Sequence, residues 1–276
     1  MESLANIVTK TKPLFPASKP IEPAKCEKCG AMVEPIRFNY LGEMRLIPGT
    51  CKCVQREWER QDEEAKRKDE RKKIERVFSL SQLGPRFAEC TFDNWTSRPG
   101  TSAIHDAAAN YVTTWERVKA NGEGLIMLGP VATGKSHLAA AIVNALVKRG
   151  ITAIFQSTPE LMSRIRATFD KGSTETERNI LSALENADLL VLDDLGAEKT
   201  TEATRARLYQ VIDARYRYNR PIIVTTNCEI KELEEQIGTR AFDRLCEICA
   251  VVKANAPSYR MEIARSKMAA KVQNAG

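Results

Sequence analysis

The sequence predicts an α/β fold: a parallel sheet with flanking helices, preceded by a small metal-stapled module. Three observations carry this. From about residue 84 onward, short apolar runs alternate with amphipathic stretches. A G-x-x-x-x-G-K-S pattern lies between one such run and one such stretch. Four cysteines fall in two close pairs near the N-terminus.

Composition sets the frame. The chain has 276 residues, room for one or two domains, and its 43% hydrophobic residues supply a core. No run of about 18 apolar residues occurs, so neither a transmembrane helix nor a membrane partner is expected. The first 20 residues carry lysines and prolines but no apolar block of the signal-peptide kind, which points to the cytoplasm. The net charge of +6 is compatible with a nucleic-acid partner and equally with a solvated surface.

Along the chain, residues 1–25 are rich in Pro and Lys and read as a flexible tail. Residues 26–55 hold Cys26, Cys29, Cys51 and Cys53, with Gly30, Gly42, Pro48 and Gly49 as turn signals. Residues 56–84 read as a charged helical linker. Over 56–76 opposite charges interleave without Pro or Gly, which suits a solvated spacer or a docking helix. Residues 85–276 form the globular domain. Strands are expected at 125–128, 152–156, 189–193, 222–226 and 250–253. Helices are expected at 102–119, 135–148, 158–169, 174–185, 201–217 and 258–268.

Gly129, Pro130, Val131, Ala132, Thr133, Gly134, Lys135 and Ser136 make the phosphate-binding pattern. Strand 125–128 precedes it and helix 135–148 follows, the context that separates a P-loop from a chance glycine turn. The glycines let backbone N–H groups and a helix N-terminus face phosphate oxygens. Lys135 then reaches the β- and γ-phosphates of ATP, and the Ser136 hydroxyl ligates Mg²⁺. The apolar run 189–192 ends in Asp193 and Asp194, delivered to the ligand edge of the sheet. Asp193 is expected to hold Mg²⁺ through water, and Asp194 to orient or deprotonate the attacking water. Asn227 ends another buried strand and either positions that water or serves as a turn residue.

Cys26-x-x-Cys29 and Cys51-x-Cys53 are suited to a four-thiolate zinc site. An iron–sulfur cluster and free thiols are the competing readings. A module this small buries little core, so a metal would supply folding energy. Cys90, Cys228, Cys246 and Cys249 read as small buried hydrophobes.

Several segments together resemble an AAA+ ATPase of the bacterial and phage replicative-helicase-loader clade, the DnaC/DnaI type, related to the IstB-like ATPases. They are 129–136, Asp193-Asp194-Leu195-Gly196-Ala197-Glu198, 208–216, Thr225-Thr226-Asn227, Arg240-Ala241-Phe242-Asp243-Arg244-Leu245 and Ser258-Tyr259-Arg260. Cys90-Thr91-Phe92-Asp93-Asn94-Trp95 resembles the aromatic motif that precedes the core in that clade. The resemblance implies a sensor role for Asn227 and a second-sensor role for Arg260. It implies an arginine finger, reaching a neighbour's ATP, from Arg240 or Arg244. Either arginine could instead pair with Asp243 or Glu247.

Two departures bear on activity. Asp194 stands where many AAA+ proteins have Glu, which implies slow hydrolysis. Only 49 residues follow Asn227, so a full helical lid does not fit. The function implied is ATP-dependent loading of the replicative hexameric helicase onto single-stranded DNA, with self-association through AAA+ interfaces. The N-terminal module would contact the helicase. Arg164, Arg166, Lys171 and Arg178 are candidates for DNA phosphates or form a solvated face. Two other readings are an IstB-like transposition helper on duplex DNA, which the cysteine module disfavours, and a nucleotide-gated adaptor without hydrolysis.

Overall fold

The structure, a computed structural model, describes residues 21–40, 43–78, 83–170, 172–197 and 201–273. Residues 1–20 of the predicted tail, together with Lys171 and Glu198, lie outside the described residues; the tail expected to run to residue 25 ends earlier, since Ala24–Lys25 pair with Met32–Val33 as a strand. The chain forms two compact units that divide between Lys68 and Asp69.

In the first unit, β1 (Ala24–Lys25) pairs antiparallel with β2 (Met32–Val33). A hairpin follows, β3 (Ile36–Tyr40) with β4 (Glu43–Ile47), in the register Ile36 opposite Ile47 and Phe38 opposite Arg45. Helix α1 (Lys52–Val77) begins immediately after Cys51. Its interleaved charges form the pairs Arg60–Glu57, Arg60–Glu64 and Lys66–Asp62 at 2.6–2.8 Å, each weak singly but numerous enough to suit a helix with few apolar contacts.

The second unit takes up the end of α1. Ile74 and Phe78 are buried in the same cluster as Leu161, Ile165, Ile180 and Leu184, with Val77 packed against it. At this end the run is no solvated spacer: Ile74, Val77 and Phe78 form an apolar stripe at helical spacing where the charged run gives out, as the docking-helix alternative allows.

Five strands form one parallel sheet: β5 (Gly124–Leu128), β6 (Ala153–Ser157), β7 (Leu189–Asp193), β8 (Ile222–Thr226) and β9 (Cys249–Lys253), in the order β6-β7-β8-β5-β9. Alternate residues feed two cores, one on each face. Leu125, Met127, Val191 and Ile223 point to one, and Ile126, Leu128, Leu192 and Val224 to the other. The chain leaves β5 for the far edge, returns through β7 and β8, and ends on the other side of β5. The crevice at the C-terminal ends of β5 and β8 is such a sheet's ligand site.

The helices are α2 (Gly84–Ala88), α3 (Ser102–Thr113), α4 (Trp115–Asn121), α5 (Lys135–Lys148), α6 (Thr158–Ala167), α7 (Glu177–Asn186), α8 (Glu202–Arg217), α9 (Ile230–Ile237), α10 (Thr239–Ile248) and α11 (Tyr259–Gln273). The helix expected over 102–119 is two helices. The hydroxyls of Thr113 and Thr114 donate to the Asn110 carbonyl at 3.0 and 2.8 Å, and the chain turns at Thr114. Between Asn227 and the last strand, where none of the expected helices falls, lie two, α9 and α10, parted by Gly238 at φ 87°. After β9 the described residues form one helix, α11, in agreement with a reduced lid. No helix among the described residues is long and apolar enough to cross a membrane.

Candidate nucleotide and metal sites

The P-loop pattern joins β5 to α5, as its sequence context predicts. Gly129 (φ 141°), Ala132 (φ 61°) and Gly134 (φ 100°) all take positive φ, which folds the loop back on itself. Gly134 is required twice over. Its φ disfavours an L side chain, and an added Cβ would lie 2.4 Å from two ring carbons of Trp95.

Lys135, Ser136, Asp193, Asp194 and Asn227 come together at this edge of the sheet. The Lys135 ammonium is buried and donates to the carbonyls of Gly129 (2.7 Å) and Pro130 (2.8 Å) and to Asn227 Oδ1 (2.8 Å). Asn227 in turn donates to Asp194 Oδ1 at 3.4 Å. Thr225, the penultimate residue of β8, ties the acidic pair. Its hydroxyl donates to Asp193 Oδ1 at 2.6 Å and accepts from the Asp194 N–H at 3.0 Å. Asp194 sits at φ 53°, a turn Asp tolerates better than most residues.

The electrostatics suit a site for phosphate and a cation. Burial lowers the Lys135 ammonium to about 8, against the opposing pull of Asp194 and Asp193. Burial likewise raises the Asp193 carboxyl, opposed by the Thr225 hydroxyl, with nearby Asp194 adding to the rise and Ser136 opposing it. A cation between Ser136 and Asp193 and an anion beside Lys135 would relieve both costs. The donor set therefore fits Mg²⁺ and a nucleotide's phosphates.

The three remaining arginines are not part of this network. Arg244 stacks on the Tyr216 ring at 4.3 Å and pairs with Asp213 at 3.4 Å, both on α8. Arg240, one turn earlier on α10, is exposed and makes no hydrogen bond, ion pair or ring contact among the described residues. Arg260 is also exposed, but Tyr259 before it donates its N–H to the Ala132 carbonyl at 3.0 Å, which seats α11 against the loop.

Sequence reasoning gave no role to Thr225 or Arg98. Thr225 was legible as part of a Thr-Thr-Asn strand end. Arg98 carried no signal, because its partners, three backbone carbonyls, the Glu262 carboxylate and the Tyr259 ring, are brought from far along the chain. Of the basic residues marked for DNA, Arg164 is engaged inside the chain with Glu175 and over the Phe78 ring. Arg166 and Arg178 are exposed. Next to them Phe169 is 65% exposed, with Arg207 over its ring at 5.9 Å.

In the first unit, the sulfurs of Cys26, Cys29, Cys51 and Cys53 all lie within 4.8 Å of one another, with three pairs at 3.4–3.5 Å. A tetrahedral ion at about 2.3 Å from each sulfur needs sulfurs about 3.8 Å apart, so the cluster can hold zinc. Backbone N–H groups of Cys29 and Lys28 lower the Cys26 thiol to about 6, and hydrogen bonding to Cys51 raises Cys53 to about 12. Cys90, Cys228 and Cys249 are buried as predicted; Cys246 is exposed, a correction that follows from its place on the outer side of α10.

The chain matches the family model described as IstB-like ATP binding protein over residues 60–267. The replicative helicase loader DnaC of Escherichia coli (strain K12) is 32% identical over 174 residues, 63% of this chain and 69% of that protein. Among solved structures, the DnaC helicase loader superposes with a TM-score of 0.56 at 24% identity, covering 62% of this chain and 100% of that one. DnaI does so with a TM-score of 0.51 at 22% identity, covering 64% and 94%. These structural likenesses carry the AAA+ P-loop fold.

Proposed function

The chain belongs to the IstB-like ATP-binding family and, within it, to the DnaC-type AAA+ proteins; from that premise we propose that it loads the replicative hexameric helicase onto single-stranded DNA. The observation that carries this reading over a transposition helper is the 32% identity shared with DnaC over 174 residues. The cysteine module adds support, since it lies ahead of the matched family region.

In this reading the loop 129–136 holds the triphosphate, with Lys135 on the β- and γ-phosphates. Ser136 and Asp193 would hold Mg²⁺, which supplies charge neutralisation at the phosphates when bound. Asp194 and Asn227 orient the attacking water. Their mutual contact and the Thr225 hydroxyl fix both at the edge of the crevice. Arg260, one residue beyond the Tyr259 anchor, serves as the second sensor. The shorter Asp194 makes hydrolysis slow, and DNA stimulates it.

Arg240 is the trans-acting finger. Of the two candidates it is the exposed one without a partner among the described residues, whereas Arg244 is held by Asp213 and Tyr216. Self-association through AAA+ interfaces then completes each site. Single-stranded DNA is bound near the end of α6, where exposed Phe169 offers a stacking face and Arg166 a charge. The four cysteines hold one zinc ion that folds the first unit, and this unit docks on the helicase in the cytoplasm.

Affinity capture with the tagged full chain, with and without ATP, tests the reading. Recovery of a hexameric helicase supports it. Recovery of a transposase, without helicase, favours the transposition helper.

A further inference from the structure

Arg98 lies in the loop before α3, far from the reacting groups in sequence and outside every motif. Its side chain is only 9% exposed. Its guanidinium nevertheless meets two segments far apart in the chain. Nη2 lies 3.5 Å from the Ala132 carbonyl and 3.4 Å from the Thr133 carbonyl, both in the P-loop. Nη1 donates to the Pro257 carbonyl at 3.0 Å and to Glu262 Oε1 at 3.4 Å. The Tyr259 ring stacks under its plane at 4.8 Å.

We propose that Arg98 is a positioning residue for nucleotide binding: it fastens the outer side of the P-loop to the start of α11. The peptide plane links the two sides of the loop. All described peptides are trans, so each C=O and the following N–H point in opposite directions. Holding the Ala132 and Thr133 carbonyls toward Arg98 turns the Thr133 and Gly134 N–H groups away from it. Those N–H groups are the donors from which a phosphate nest is built.

Ala132 shows why a clamp is needed. It is a non-glycine residue at φ 61°, a conformation that persists only where surrounding contacts hold it. Its carbonyl accepts from both Arg98 and the Tyr259 N–H. The planar fork of arginine reaches the loop with one nitrogen and the 257–262 segment with the other, which a lysine cannot do. The Tyr259 anchor places Arg260 one residue from a point held on the loop it is proposed to serve.

This inference rests on the reading of loop 129–136 as the nucleotide site, and the test separates the two. Arg98→Ala, Arg98→Lys and Lys135→Ala are made in the full chain. ATP and ADP affinities are measured with fluorescent analogues, well below each variant's melting temperature without nucleotide. Arg98→Ala is expected to weaken ATP and ADP alike by about 10- to 100-fold, the scale of a charge-assisted hydrogen bond. Arg98→Lys recovers only part of the loss. A merely structural role would lower the melting temperature and leave the folded protein's affinity unchanged. Affinities within about twofold of the parent in folded Arg98→Ala, with Lys135→Ala impaired, overturn the role of Arg98 alone. If Arg98→Ala does not fold, parental affinity in Arg98→Lys overturns it instead. Unchanged affinity in Lys135→Ala overturns the nucleotide reading and this inference with it.

Discussion

Gly134→Ala offers a direct test of the loop because two separate penalties can be assigned to it. The new Cβ would lie 2.4 Å from two Trp95 ring carbons, more than an ångström inside ordinary contact. The ring has little room to retreat, since His105 stacks on it at 6.0 Å and His137 lies at 5.5 Å. Overpacking of this kind costs about 1–3 kcal/mol. Holding an L residue at φ 100° adds about 1–2 kcal/mol. The combined cost of about 2–5 kcal/mol corresponds to a fall in ATP affinity of about 30-fold to several thousand-fold, if the loop must keep this shape to bind. Trp95→Ala in the same chain removes the steric share and leaves the backbone share. The double variant should therefore bind ATP more tightly than Gly134→Ala, by about 5- to 150-fold after correction for Trp95→Ala alone. Titration calorimetry on the four proteins gives the cycle. Parental affinity in Gly134→Ala would refute the loop's role as the phosphate cradle. A double variant no better than the single one would refute the Trp95 contact as a source of the loss.

Three further outcomes follow from the same geometry. Arg240→Ala should keep ATP affinity and folding stability, within about 0.5 kcal/mol, while hydrolysis falls by about 10³–10⁵-fold; Arg244→Ala should instead lower the melting temperature and change hydrolysis little, and the reverse pattern in activity and melting assays would exchange their roles. Burial sets Lys135 near 8 without nucleotide, and bound phosphate raises it, so ATP binding should take up a proton above pH 8 and weaken about tenfold per pH unit there; calorimetry in buffers of different ionisation enthalpy reads the uptake, and none at pH 9 would contradict the assignment. Elemental analysis should find about one zinc per chain, and its removal by a chelator should raise hydrogen exchange over residues 26–53 while strands β5 to β9 stay protected; unchanged exchange would show that the cysteines do not fold the unit.

Strands β5 to β8 were legible because buried parallel strands read as continuous apolar runs, with no competing pattern; β9, a largely exposed edge strand, was legible from its short apolar run alone. The P-loop and the acidic strand end were legible for the same reason: each is a local motif on a local element. Tertiary effects hid the rest. The break at Thr114 depends on hydroxyl bonds to Asn110 that compete with the helix. The buried stripe of Ile74 and Phe78 was masked by the charges around it. Arg240 and Arg244 share one helix and one spacing rule, and only the approach of Asp213 and Tyr216 from α8 distinguishes them. Arg98 had no sequence signal at all, because most of what it binds is backbone, and its side-chain partners Tyr259 and Glu262 lie far along the chain.

The central claim is tested most directly on a closed single-stranded DNA circle, which a helicase ring can encircle only if the ring is opened. The full chain, the host's hexameric helicase, the circle and ATP are combined, and helicase retained on the DNA after a high-salt wash is counted. Retention that needs the chain, and that fails with Lys135→Ala, is the predicted result. Retention equal with and without the chain would contradict the account.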